Sequence, residues 1–233
     1  MKYKNIGFNL ILWSSAILVA ILGVWALKKN LADKPTNITI DPAKPMVALT
    51  FDDGPNPQFT PQVLEILADN EAYATFFING KNLTGNETLL QAITDSGHEL
   101  GNHSYFHLDL TTLDAQEMDR EFRETQHAVN RILPNYPLLY FRPPYGRYND
   151  IVTETACIPM VLWDIDSGDW EKTTSENIVD QVLSAVKDGD VIIFHDDNAA
   201  TVEALTVIVP VLKEWGFQCA TISQLNQARS AIE

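Results

Sequence analysis

The pattern of apolar and polar residues predicts that strands and helices alternate from residue 46 onwards. Short apolar runs bounded by turn residues predict strands, and apolar residues spaced three to four apart predict amphipathic helices. The predicted strands cover residues 46–51, 74–78, 138–141, 160–163, 191–194 and 218–222, with a further short run at 98–100. The predicted helices cover residues 60–70, 88–96, 114–133, 175–186 and 201–215. This order is typical of an α/β fold with a parallel sheet, either open or closed into a barrel.

A different pattern occupies the N-terminus, where residues 6–27 form one long apolar run. As a helix it would measure roughly 33 Å, which is enough to cross a bilayer. Lysines flank it on both sides, so the charge bias leaves the orientation open. We expect a retained membrane anchor. The alternative is a cleaved signal peptide, for which Val24-Trp25-Ala26 offers only a weak cleavage site.

These patterns divide the chain into four parts. A basic flank covers 1–5, the apolar segment covers 6–27, a polar linker without periodicity covers 28–44, and one domain covers 45–233. The last part is long enough to bury a core of its own.

Composition narrows the classes of protein that fit. Hydrophobic residues make up 45% of the chain and charged residues 20%, as in ordinary globular proteins. The net charge of -15 argues against nucleic acid as a partner, because phosphate binding needs a basic face. Cys157 and Cys219 both lie in apolar runs without metal-ligand spacing, so buried thiols are favoured over a disulfide.

Polar residues that could take part in catalysis or metal binding follow the predicted strands at their C-terminal ends. In an α/β barrel these ends meet at one mouth, where active sites lie. The residues are Asp52, Asp53, His103, His107, Arg142, Tyr145, Asp166, Asp169, Trp170 and His195. This clustering is the strongest argument from the residues alone for an enzyme.

Two of these groups suggest a metal site beside a catalytic base. Adjacent carboxylates repel each other, so Asp52 and Asp53 suit a site where one binds a cation and the other stays free as a base. His103 and His107 would face one way on a helical turn and, with Asp53, offer two imidazoles and a carboxylate to a catalytic divalent ion. Each motif alone is weak, since Asp-Gly-Pro is also an ordinary turn and paired histidines are commonly structural.

Five blocks in order resemble the polysaccharide deacetylase family, the carbohydrate esterases that act on chitin, peptidoglycan or acetylxylan. They are Thr50-Phe51-Asp52-Asp53-Gly54-Pro55, His103-Ser104-Tyr105-Phe106-His107, Arg142-Pro143-Pro144-Tyr145, Asp166-Ser167-Gly168-Asp169-Trp170 and Ile193-Phe194-His195. The resemblance extends over about residues 44–225. It implies a distorted, incomplete (β/α) barrel of about seven parallel strands, and hydrolysis of an N-acetyl or sometimes an O-acetyl group on a sugar.

The resemblance also implies a role for each site residue. One divalent ion, zinc before cobalt, nickel or manganese, would be held by Asp53, His103 and His107. Asp52 would be the general base, oriented by Arg142, and His195 the general acid, held by Asp169. Trp170 and Ile193 would line the pocket for the acetyl group. The backbone N–H of Tyr145 would help to stabilise the oxyanion that forms on the acetyl carbonyl.

The expected substrate is a polysaccharide or oligosaccharide that contains N-acetylglucosamine, because Tyr145 stands where enzymes for N-acetylmuramic acid often depart from the family pattern. The domain would then work outside the cytoplasm, membrane-anchored or secreted, with a monomer as the expected state. Two alternatives remain open, an esterase for acetylxylan or another acyl group, and a catalytically silent glycan-binding protein. Intact acid, base and metal positions argue against the silent protein.

Overall fold

The computed structural model describes residues 40–171 and 173–230, which belong to one compact unit. The predicted flank at 1–5, the apolar segment at 6–27 and most of the linker at 28–44 lie outside the described residues. Within the described residues, every helix is too short or too polar to span a membrane.

A parallel sheet of six strands forms the centre of the described fold. The strands are β1 (Met46–Asp52), β2 (Thr75–Ile78), β3 (Glu99–Asn102), β4 (Ile165–Asp166), β5 (Val191–His195) and β6 (Gln218–Ala220). They run in the order β3-β2-β1-β5-β4, and β6 pairs with the first half of β1. The fully buried β1 is therefore the strand around which the sheet is built.

Single bridges close the gap between β3 and β4. Asn102 pairs with Phe141, and Phe141 pairs with Met160, both in parallel. The predicted strands at 138–141 and 160–163 thus contribute isolated bridges only, and regular pairing resumes at β4, two residues beyond the second segment. With these bridges the sheet becomes a distorted α/β barrel, as expected from the resemblance.

The physical reason for the irregularity is local. Prolines at 137, 143, 144 and 159 flank the two segments and have no backbone N–H to extend the pairing at their ends. The guanidinium of Arg142 donates hydrogen bonds to the carbonyl oxygens of Val161 and Leu162, at 3.1 and 3.0 Å. Carbonyls that a neighbouring strand would use are therefore taken by a side chain.

Seven α-helices pack around the described sheet. They are α1 (Thr60–Asp69), α2 (Glu87–Asp95), α3 (Ala115–Ile132), α4 (Asp150–Ala156), α5 (Ser175–Ala185), α6 (Ala199–Glu214) and α7 (Ile222–Ser230). Asp114 and Glu117 form a reciprocal capping box at the start of α3. The sequence pattern does not predict α7, whose first residue, Ile222, falls at the end of the strand predicted at 218–222, nor α4, which has only two turns.

Side-chain alternation along β1 separates the core from the site. Phe51 points away from the cavity and is fully buried. Its ring stacks on those of Phe76 and Phe194, with centroid distances of 5.0 and 5.7 Å respectively. Thr50 and Asp52 lie on the opposite face, because successive residues of a strand point to opposite sides. The parallel register places Ile193 and His195 of β5 beside them. One face of the strands therefore builds the core and the other builds the site.

The two cysteines are free thiols, as favoured from the sequence over a disulfide. Cys219 is buried, which raises the pKa of its thiol to about 12. Cys157 is exposed, so the expectation that it is buried was wrong. Cys157 directly follows α4 and has a left-handed backbone conformation, so the chain turns away from the helix at this residue.

Candidate active site

The C-terminal ends of the strands surround one cavity of about 860 Å³. Nine of the ten residues assigned a role from the sequence line it, namely Asp52, Asp53, His103, His107, Tyr145, Asp169, Trp170, Ile193 and His195. The tenth, Arg142, is fully buried behind Asp52. The predicted convergence at the strand ends is confirmed within the described residues.

A buried ion pair fixes the first carboxylate. Arg142 Nη1 donates to Asp52 Oδ1 at 2.7 Å and to the Thr50 hydroxyl at 2.9 Å. Arg142 has no exposed surface and Asp52 only 2%. The guanidinium lies over the Phe77 ring, 4.2 Å from its centroid. With one Asp52 oxygen held in this way, the other, Oδ2, lies 3.6 Å from His103 Nε2 and faces the histidine pair.

The second carboxylate meets both histidines. Asp53 Oδ1 lies 3.2 Å from His107 Nε2 and 3.6 Å from His103 Nε2. One ligand atom from each of these three residues falls within 4.8 Å of the others, which is the arrangement of a possible metal site. The histidines converge, but not on a helical turn as predicted. Residues 103–107 form a loop in which Ser104 and His107 have positive φ angles.

The protonation states fit a divalent cation. His103 Nδ1 lies 2.8 Å from the carbonyl oxygen of Arg142, which only accepts, so Nδ1 carries the hydrogen and Nε2 is the nitrogen that faces the candidate ion. Burial holds the pKa of His107 below its ordinary value although Asp53 opposes this, so the neutral ligand form prevails. Two imidazoles and one carboxylate suit zinc and similar ions and leave positions open for other ligands.

Two asparagines that the sequence reasoning missed hold Asp53. The Asn79 side-chain amide donates to Asp53 Oδ1 at 2.9 Å, and the Asn82 amide donates to the Asp53 carbonyl at 2.7 Å. Burial alone would raise the pKa of Asp53, but His103, His107 and the Asn79 amide outweigh it and hold that pKa below the ordinary value. Asn79 directly follows β2, so the rule applied to the other strand ends could have found it.

A second hydrogen-bonded pair stands across the cavity. His195 Nδ1 lies 2.7 Å from Asp169 Oδ1, and Asp169 Oδ2 accepts from the His195 backbone N–H and from the Thr201 hydroxyl, each at 2.7 Å. Burial alone would lower the pKa of His195, but the hydrogen bond and charge of Asp169, with Asp52 and Asp53, raise it to about 9. His195 is therefore an imidazolium at neutral pH and can donate a proton.

Aromatic side chains form the outer wall. Trp170 is 59% exposed, and its indole N–H points to the Asp166 carboxylate at 3.3 Å. Tyr145 is also exposed, and its ring packs edge-on against His107 with centroids 4.6 Å apart. Ile193 lines the floor and is almost fully buried. The cavity thus combines charged groups in its depth with an apolar, aromatic rim.

Comparisons with known proteins point to one family. The sequence model for the family described as polysaccharide deacetylase matches residues 39–157. The chain is 38% identical over 188 residues to a peptidoglycan-N-acetylglucosamine deacetylase of Bacillus cereus, which covers 77% of this chain and 87% of the relative. It is 35% identical over 196 residues to a chitooligosaccharide deacetylase of Sinorhizobium fredii, which covers 77% of this chain and 91% of the relative.

A further relative is known both as a sequence and as a solved structure. The peptidoglycan-N-acetylmuramic acid deacetylase PdaC of Bacillus subtilis is 35% identical over 206 residues, or 88% of this chain. The chain spans only 44% of the length of that relative. A solved PdaC structure superposes with a TM-score of 0.80, at 35% identity, and covers 82% of this chain and 95% of that one.

Proposed function

This chain belongs to the polysaccharide deacetylase family, and on that premise we propose that it removes N-acetyl groups from N-acetylglucosamine units of a cell-envelope or chitin-type polysaccharide and releases acetate. The observation that carries the proposal is the pairing of Asp52 with Arg142 and of His195 with Asp169 on the walls of one cavity. A base and an acid held in this way serve hydrolysis and have no use in a protein that only binds glycans.

Asp53, His103 and His107 would hold one divalent ion, zinc first among the candidates. When bound, such an ion polarises an acyl oxygen and lowers the pKa of water from about 16 towards 7. The support is the donor set itself, with both Nε2 atoms within 3.6 Å of Asp53 Oδ1.

Asp52 would take the proton from the attacking water. Its neighbour Arg142 holds one carboxylate oxygen by a hydrogen bond, so the second oxygen remains available as an acceptor. The same buried bond fixes the direction of the carboxylate, which a base needs because proton transfer requires hydrogen-bond reach.

His195 would give a proton to the leaving amine. An amine leaves an amide carbon readily only when it is protonated, and the raised pKa of about 9 keeps this imidazole charged at neutral pH. Asp169 orients the ring through Nδ1, which leaves Nε2–H for the substrate. The acetyl methyl would pack against Ile193 and Trp170, and the Tyr145 N–H would help to hold the developing oxyanion.

A second candidate substrate has a specific observation in its favour. PdaC, which matches 88% of this chain, is named for N-acetylmuramic acid rather than N-acetylglucosamine. Both sugars carry an acetamido group, so the same residues would serve either one. The glucosamine proposal rests on Tyr145, and the muramic acid alternative rests on this relative.

The proposal also covers where the protein works. Envelope polysaccharides lie outside the cytoplasm, so the domain at 45–233 would face that side, tethered by residues 6–27 or released if that segment is cleaved. We expect a monomer, the state predicted from the sequence.

The test is acetate release by the stripped protein and by the protein reconstituted with zinc or cobalt. Chitooligosaccharide, peptidoglycan and acetylxylan serve as substrates, and mass spectrometry of digested peptidoglycan separates deacetylated glucosamine from deacetylated muramic acid. Metal-dependent release from an amino-sugar polymer supports the proposal. Release from acetylxylan alone would indicate an esterase. Glycan binding without acetate release from any substrate would contradict the proposal that the protein is an enzyme.

A further inference from the structure

The loop that joins His103 to His107 has a backbone conformation that its residues do not favour. Ser104 and His107 have φ angles of +65° and +61°. A non-glycine residue in this region costs on the order of 1 kcal/mol, and such conformations persist only where surrounding contacts fix them. The loop has no regular secondary structure, and its own hydrogen bond from the His107 N–H to the Ser104 hydroxyl, at 3.0 Å, links these two residues. Neighbouring elements add further contacts that hold the residues between them.

A carboxylate from α3 supplies two of them. The consecutive N–H groups of Tyr105 and Phe106 both donate to Glu121 Oε2, at 2.9 and 2.7 Å. Glu121 is only 6% exposed and lies on the buried face of α3 between Met118 and Phe122. A carboxylate in such a place is expensive unless it is hydrogen-bonded, and bonds to an ionised acceptor are stronger than neutral ones.

The segment after β2 holds the other side of the loop. The N–H groups of Gly80 and Lys81 donate to the carbonyl oxygens of Ser104 and Tyr105, at 3.1 and 3.0 Å. A Cβ atom on Gly80 would lie 2.4 Å from the Tyr105 ring, so this approach requires glycine. The loop is therefore clamped between residues 80–81 and the Glu121 carboxylate.

We propose that Glu121 is a positioning residue for the candidate metal site. By holding the two amides midway between His103 and His107, it sets the orientation of both imidazoles, so that their Nε2 atoms can share one ion with Asp53. Glu121 acts through the loop backbone and does not touch the ion. This inference rests on the proposed function only in taking the three residues as a metal site.

The test is the affinity of the stripped full-length chain for zinc, measured by competition with a chromophoric chelator. Glu121→Gln keeps the shape and one carbonyl acceptor but loses the charge, and we expect zinc to bind about tenfold more weakly, with up to a hundredfold for Glu121→Ala. Glu124→Gln, an exposed glutamate on the same helix, is the matched control and should bind like the wild type.

A second readout separates positioning from a general loss of stability. If Glu121 only stabilised the fold, Glu121→Gln would lower the melting temperature of the stripped protein and leave the zinc affinity of folded molecules unchanged. We expect instead a weaker affinity and an altered visible absorption spectrum of the cobalt-loaded protein, since that spectrum reports ligand geometry. Zinc affinities within twofold of the wild type for both variants would overturn the proposal.

Two further measurements keep the proposal testable if the Glu121 variants fail to fold. Gly80→Ala presses on the loop from the opposite side and should weaken zinc binding in the same direction. In the wild type, the amides of Tyr105 and Phe106 should exchange hydrogen slowly although the Phe106 side chain is exposed. Fast exchange of both amides would contradict the clamp.

The outcomes also separate this inference from the proposed function. If Glu121→Gln loses zinc affinity while the wild type releases no acetate from any glycan, the positioning role stands and the deacetylase proposal falls. If the wild type is an active deacetylase and Glu121→Gln binds zinc normally, only the positioning role falls.

Discussion

Asp52 and Asp53 are adjacent residues of the same type, and their neighbours give them different tasks. Asp52 is buried against a guanidinium, whereas Asp53 is partly exposed and faces two imidazoles. Arginine favours an ionised carboxylate whose second oxygen stays free, and imidazoles with available lone pairs favour a shared cation. The difference follows from the alternation of side chains at the end of β1, where Asp52 turns inwards and Asp53 begins the following loop.

The first prediction concerns Asp52. Asp52→Asn should lower acetate release by at least about 100-fold, because an amide cannot accept the proton, while zinc stoichiometry stays near that of the wild type. His103→Ala should lose both activity and zinc. Asp52→Asn also leaves the Arg142 charge buried without its partner, so unfolding free energy should fall by roughly 3 kcal/mol. Activity must therefore be measured on folded protein, and near-normal turnover would contradict the assignment of the base.

The second prediction concerns the pH dependence of stability. The pKa of His195 is raised to about 9, above its ordinary value of 6.5. Its contribution to stability is therefore complete below about pH 6.5 and is lost as the pH rises through about 9. The difference in unfolding free energy between the stripped wild type and His195→Gln should shrink over that window, by on the order of 2 kcal/mol. Denaturant titrations at pH 6, 7.5 and 9.5 measure it, and a difference that stays constant would contradict the charged pair.

How far the sequence predicts the site depends on how each residue is recognised. The ten residues assigned from strand ends and family blocks gather around one cavity, because parallel strands bring their C-terminal ends together. Asn82, Thr201 and Glu121 are not predicted, since each acts by a hydrogen bond to another residue and has no motif of its own. Glu121 did leave a signal, as a charged residue within the apolar stripe between Met118 and Phe122.

At the scale of elements, the predictions succeeded where the period was unambiguous. The helix predicted at 114–133 is found as α3, with its capping box, and the strand at 191–194 is found as β5 with one more residue. The strand predicted at 138–141 contributes only bridges, because prolines and the Arg142 side chain replace regular pairing there. The loop at 103–107 was mistaken for a helical turn, since a spacing of four does not reveal which tertiary contacts hold the backbone.

The third prediction tests the capping box of α3. Asp114 accepts from the N–H groups of Gln116 and Glu117, each at 2.9 Å. Asp114→Ala removes both bonds and should lower the unfolding free energy by about 1 kcal/mol, with no change in acetate release by folded protein. Asp119→Ala, which breaks an exposed ion pair with Arg123 on the same helix, should cost less than about 0.5 kcal/mol. Equal losses in urea titrations of the two variants would contradict a specific capping effect.

At the scale of the whole molecule, the fold class could be predicted because alternating strands and helices have few compact arrangements. The way in which the barrel closes could not be predicted, since it depends on two single bridges and a buried arginine that join segments far apart in sequence. A barrel closed in this way keeps Arg142 both as a part of its wall and as the partner of Asp52. Arg142 therefore contributes both to the stability of the barrel and to the candidate site, and this double role cannot be inferred from the sequence motifs taken one at a time.

The last prediction concerns the division of the chain at residue 35. The described residues form one compact unit with its own core and line the cavity, so a fragment covering 36–233 should fold alone, unfold in a single transition, and release acetate at the rate of the full chain. The full chain should sediment with membranes, and the fragment should remain in the supernatant, because residues 6–27 carry the apolar run. A full chain that stays in the supernatant without losing its N-terminus would contradict the anchor and leave the catalytic proposal unaffected. A fragment that folds but releases no acetate, beside an active full chain, would instead give the N-terminal segment a part in catalysis.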